Sequence, residues 1–134
     1  ARLHYTQDGR RWRGIDAHKV AARGQYPTQA DCSSFATWCL WNGLFVPFGV
    51  RDTVNGARWE YGYTGTMVQH GKRVVHRKNV QGGDLALYGD PTGRTGHVAV
   101  CVGGGKVISF GSEPGPFLLP IDYRSDLREI RRFI

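Results

Sequence analysis

Helix signals fill the first half of this chain and strand signals the second. That segregation predicts an α+β fold rather than alternating βαβ units. Strands are expected at 73–76, 84–88, 97–102, 106–110, 118–123 and 127–133, separated by turn residues. Gly103, Gly104 and Gly105 predict a tight hairpin between the third and fourth of these. The expected sheet has five or six strands, mostly antiparallel. Upstream, Asp16 is placed to cap a short helix through Arg23 that Gly24 stops. Asp31 is the expected N-cap of a second helix over 32–41, ended by Asn42 and Gly43. This helix is apolar nearly all round, so it is expected to be buried. Segment 44–50 contains Pro47 and Gly49 and reads as irregular. Segment 53–61 reads as a weaker third helix despite Gly56, and 64–71 gives no clear signal.

At 134 residues, with no internal repeat, residues 1–134 are expected to form one domain. No apolar run approaches the length that spans a membrane. The start, Ala1 to Arg10, is polar, shows no signal core and lacks Met, which is compatible with a fragment or processed product of a longer protein. The net charge of +7 favours anionic polymers or simply solubility. No nucleic-acid-binding motif accompanies it. Three cysteines without CxxC spacing argue against a disulfide framework and a zinc ribbon. His4, His18, His70 and His76 have no metal-ligand spacing, so neither metal nor organic cofactor is implied.

Chemistry concentrates at two points. In Asp31-Cys32-Ser33-Ser34, an N-capping Asp31 makes Cys32 the first helical residue. The positive end of the helix dipole then stabilises a thiolate and lowers the thiol pKa. In Gly96-His97-Val98-Ala99-Val100, period-two alternation puts His97, Ala99 and Cys101 on one strand face. Small residues there would let the Cys32 helix pack closely, so the thiol and the imidazole meet. The competing readings are a packed core thiol and a structural histidine at a strand edge. Between them, Gly83-Asp84-Leu85 reads as a turn entering a strand.

Asp31-Cys32-Ser33, Gly83-Asp84-Leu85 and Gly96-His97-Val98, in that order, resemble the NlpC/p60 cysteine peptidases, papain-like enzymes of bacterial cell-wall turnover. The resemblance spans about residues 26–113. It implies a papain-like α+β domain with Cys32 as nucleophile and His97 as base and later acid. The family's third polar residue, about twelve positions after the histidine, is Ser109 here, with Glu113 as the alternative. The backbone N–H groups of Cys32 and Ser33 are natural oxyanion donors. The site tyrosine found upstream in the family corresponds to Tyr26, as a donor or as ordinary packing. Gly111 to Gly115 and the Trp-rich helix further resemble peptidase domains of phage endolysins. The implied substrate is the peptidoglycan stem peptide, at the D-Glu to meso-diaminopimelate bond. The implied protein is a monomer that engages neither nucleic acid nor membrane and acts on the bacterial wall; if phage-derived, it is made in the host cytoplasm and released to the wall. An N-acetylmuramoyl-L-alanine amidase using the same site and a non-enzymatic wall-binding module are the rival functions. Cys39 and Cys101 are expected to approach each other as buried thiols. Trp12, Trp59, Tyr61 and Tyr63 are candidate groove walls, and the basic run 124–132 reads as the solvent face of a strand.

Overall fold

Local hydrogen bonding starts the first long element. The Asp31 carboxylate accepts the Ser34 N–H at 2.9 Å, and the Ser34 hydroxyl accepts the Asp31 N–H at 3.0 Å. This reciprocal cap satisfies amides that the first turn of a helix leaves unpaired. Helix α1 (Cys32–Gly43) follows from it. In this computed structural model, which describes residues 3–12, 27–43, 52–56 and 61–133, the remaining elements are small around one sheet. Strands β1 (His4–Tyr5) and β2 (Gln29–Ala30) pair in parallel, with Tyr5 opposite Ala30, just before the helix cap. A one-turn helix, α2 (Thr64–Met67), precedes β3 (Lys72–Arg73).

The sheet is completed by β4 (Leu85–Tyr88), β5 (His97–Gly103), β6 (Lys106–Ser109), β7 (Phe117–Pro120) and β8 (Leu127–Arg132). Its order is β3-β8-β4-β5-β6-β7, with every neighbouring pair antiparallel. The β5–β6 hairpin turns at Gly104 and Gly105, with φ of 62° and 73°. Two successive left-handed residues match the twist of a hairpin, and glycine adopts them without a Cβ clash. The fold is α+β with few helices on a six-stranded antiparallel sheet.

Both faces of the central strands are covered, so β4 is buried along its whole length. On one face Cys32, Ala36 and Leu40 of α1 pack on Leu85, Leu87, Val98 and Val100. Their spacing of four aligns them on one side of the helix. On the other face Ala86, Tyr88, Ala99, Cys101, Val107, Ile121 and Ile130 form a second cluster. The helix therefore lies on the Val98/Val100 face and not, as expected, on the face of His97, Ala99 and Cys101. The valines and leucines offer more apolar area to cover than Ala99 and Cys101 do, and burial scales with that area. As a consequence Cys39 and Cys101 belong to clusters on opposite faces, and all three cysteines are free thiols.

Of the third helix expected over 53–61, residues 53–56 form a turn instead. Asp52 accepts the N–H groups of Val54 and Asn55 on its carboxylate and that of Gly56 on its carbonyl, closing a single turn. Gly56 then leaves the helical region at φ 66°. Strand bounds move by a few residues, most at the first, Lys72–Arg73 rather than 73–76, and the fifth, Phe117–Pro120 rather than 118–123. The expected helix over 16–23, segment 44–50, and residues 57–60 with Trp59 lie outside the described residues.

Candidate active site

The capped start of α1 holds the Cys32 sulfur over the beginning of β5. Backbone N–H groups of Val98, Ser33 and Cys32 itself point at the sulfur. Val98 follows His97, so helix and strand bring the thiol and the imidazole to the same end of the sheet. The Asp31 carboxylate that builds this helix start also accepts the Ser33 hydroxyl at 2.9 Å. The Ser33 side chain is thus tied to the cap, and its backbone N–H is the group presented to the sulfur. Arg11 approaches Asp31 from outside, with Nε 3.6 Å from Oδ2.

His97 is buried and oriented by the neighbouring strand. Its Nε2 lies 2.7 Å from Ser109 Oγ on β6, and that oxygen lies 3.1 Å from the Tyr123 hydroxyl. The pairing of Ala99 with Ser109 places Ser109 on the same sheet face as His97. Nδ1 has no hydrogen-bond partner among the described residues. No hydrogen bond joins Cys32 to His97. Glu113, the alternative third residue, is engaged elsewhere: His4 Nδ1 lies 2.9 Å from its carboxylate. Tyr26 lies outside the described residues.

The electrostatics correct one expectation. Burial, and then the Asp31 carboxylate, push the Cys32 thiol up to about 12, against the pull of the three backbone N–H groups. The helix terminus favours the thiolate, but desolvation at this depth wins. Burial, and then the cation of Arg124, hold His97 down at about 4. Both groups are therefore neutral near pH 7: a thiol and an imidazole.

Two side chains not singled out in the sequence complete the site. Tyr5 stands beside the nucleophile because β1 pairs with β2 immediately before Asp31. Burial, and next the neighbouring Cys32, raise its hydroxyl to about 12. Tyr123 reaches Ser109 from the turn after β7. A two-residue strand and a turn carry no periodicity that would have pointed to either residue.

Two adjoining depressions open over these groups. One, about 670 Å³, is lined by Cys32, Asp31, Arg11, Tyr63 and Thr64. The other, about 490 Å³, is lined by His97, Ser109, Tyr5, Tyr123 and Arg124. Gln7, Arg94 and Gly96 border both. Of the expected groove walls, Tyr63 lines the cleft and Tyr61 is exposed, whereas Trp12 is buried in the core. Asp84 keeps the turn role expected of it, accepting the Gln81 N–H at 2.8 Å and pairing with Arg132 at 2.8 Å. In that pair the basic C-terminal run turns one guanidinium inward. Among the described residues, no group of three or more His, Cys, Asp or Glu side chains is placed to hold a metal. No helix among them is long and apolar enough to cross a membrane.

No protein-family model and no curated protein matches the chain. Solved structures do. NlpC2 from Trichomonas vaginalis is 18% identical with a TM-score of 0.57, over 96% of this chain and 48% of that one. An NlpC/P60 family protein from Bacillus cereus is 20% identical with a TM-score of 0.55, over 80% of this chain and 32% of that one. The NlpC/p60 domain of the peptidoglycan hydrolase SagA is 22% identical with a TM-score of 0.53, over 93% of this chain and 98% of that domain. The chain has the NlpC/P60 fold. It spans less than half the length of the first two proteins and nearly all of the third.

Proposed function

We propose that this chain is a peptidoglycan hydrolase, a cysteine peptidase that cleaves an amide bond of the cell-wall stem peptide. The observation that carries the reading is the thiol at a capped helix start, docked on the residue after a histidine whose Nε2 is held by Ser109. The chain also shares its fold with a domain of a peptidoglycan hydrolase. Residues 1–134 act as one catalytic domain.

The proposed chemistry is acyl transfer. Cys32 Sγ attacks the amide carbonyl while its proton passes to Nδ1 of His97, the nitrogen that Ser109 leaves free. Burial raises the thiol pKa and lowers the imidazole pKa, so both groups rest neutral, and the proton moves to His97 as the S–C bond forms. The N–H groups of Cys32 and Ser33 stabilise the oxyanion. His97 then protonates the departing amine as the C–N bond breaks. Water, deprotonated by His97, attacks the thioester, and the C–S bond breaks to restore the thiol. Hydrogen bonds of this kind often tighten only when substrate is bound, which accommodates the absent Cys32–His97 bond.

Arg94 borders both depressions, and no ion pair neutralises it among the described residues. A guanidinium there suits a carboxylate of the stem peptide. The bond between D-Glu and meso-diaminopimelate, the phage-lysin role and a monomeric state are the finer parts of the proposal, and they rest on the motif resemblance. Mass analysis of fragments released from purified wall tests the bond. New amino termini within the stem peptide support the peptidase, and free sugar-linked lactyl groups would identify an amidase instead.

A further inference from the structure

Ser109 stands between two groups, 2.7 Å from His97 Nε2 and 3.1 Å from the Tyr123 hydroxyl. A serine hydroxyl has one hydrogen to give. If that hydrogen goes to Nε2, the ring carries its own proton on Nδ1, and Nδ1 cannot receive the thiol proton. If the ring instead donates Nε2–H to Ser109, the serine hydrogen needs another acceptor. Ser109 is only 6% exposed, so water is a poor substitute. Tyr123 is the other group within hydrogen-bond distance of Ser109 among the described residues. At 36% exposure it can pass its own hydrogen to solvent.

We propose that Tyr123 is a positioning residue that accepts the Ser109 hydroxyl hydrogen and so sets a one-way chain, His97 Nε2–H to Ser109 to Tyr123, that keeps Nδ1 free to act as a base. The inference rests on the peptidase reading above. The same polarity is required once His97 has taken the proton, because both ring nitrogens then carry hydrogen and Ser109 must accept from Nε2. No hydroxyl has to rotate during catalysis, so the arrangement is preorganised. The surroundings fit Tyr123 as an acceptor. The Arg124 guanidinium, which has only donors, lies near its oxygen. The Tyr88 ring packs against the Tyr123 ring edge-on, with centroids 5.5 Å apart, and holds it in place. Arg124 is itself held by Asp126 at 2.6 Å.

The test is the tautomer of His97, read from its ring ¹⁵N shifts at neutral pH, in the wild type and in Tyr123→Phe. The wild type is expected to carry hydrogen on Nε2. In Tyr123→Phe the Ser109 hydrogen has only Nε2 left to approach, so the ring is expected to move to the Nδ1–H form. Turnover should then fall about 3- to 10-fold, with KM within about twofold. In a Ser109→Ala background the same substitution should cost nothing further. An Nδ1–H wild type, or a Tyr123→Phe protein that keeps either the Nε2–H form or full turnover, overturns the proposal. The wild-type spectrum alone decides the polarity if the variant does not fold. A wild type that releases nothing from cell wall contradicts the peptidase reading instead, and the ¹⁵N signal still decides the hydrogen-bond chain.

Discussion

The backbone N–H of Val98 points at the sulfur of Cys32, so the candidate nucleophile rests on the residue that follows His97. Helix α1 reaches this point through the Val98/Val100 face of the sheet, while His97 is tied to Ser109 on the other. The thiol and imidazole thus approach around the start of β5 rather than across one face of it.

Asp31 has two opposed effects on this arrangement. It caps α1, and its charge is the second cause, after burial, of the raised Cys32 pKa. Asp31→Asn keeps an oxygen for the Ser34 N–H and removes the charge. It should increase the rate of Cys32 alkylation at pH 7 while costing little stability. Asp31→Ala should cost about 1 kcal/mol through loss of the cap. Alkylation rates followed by peptide mass mapping, with urea midpoints alongside, check both. An Asp31→Asn protein that alkylates no faster would remove Asp31 as a brake on the thiolate.

The depressed pKa of His97 makes a pH prediction. Its folded value is about 4 and its ordinary value 6.5. Between those values the unfolded chain binds a proton that the native site refuses, so stability rises with pH across the window. The contribution is complete above pH 6.5 and is lost as pH falls toward 4, for a total of about 3 kcal/mol. His97→Gln should lack this part of the acid loss. Urea denaturation from pH 4 to 7 measures it, and parallel pH dependence in the two proteins would contradict the buried neutral imidazole.

Arg94 borders both halves of the cleft. If it receives a substrate carboxylate, Arg94→Ala should raise KM for wall fragments about tenfold and leave kcat within about twofold. Arg94→Lys should recover part of the loss. An unchanged KM would remove Arg94 from substrate binding.

The fold was legible where local chemistry alone decides it. Asp31 caps α1 as the sequence predicts, while the helix runs on through Asn42 and Gly43, which were expected to end it. Three glycines mark the β5–β6 turn. The neighbourhood of His97 and Ser109, which the motif resemblance implied, is found across that hairpin. What stayed hidden depends on long-range packing. Period-two alternation separates Val98 and Val100 from His97 and Ala99, but it does not say which set a helix will cover. The expected approach of Cys39 to Cys101 failed for that reason. Tyr5 and Tyr123 reach the site through a two-residue parallel pairing and a turn, and neither has a repeating pattern. The thiol pKa was misjudged because a helix terminus is visible in sequence and burial is not.

The most direct measurement is release of soluble peptide fragments from purified peptidoglycan by the wild type and by Cys32→Ala, with folding of both verified by circular dichroism. The account predicts release by the wild type and a loss of at least about a thousandfold in the folded variant, since no other group described here replaces the sulfur in forming the acyl-enzyme. Undiminished release by folded Cys32→Ala would contradict it.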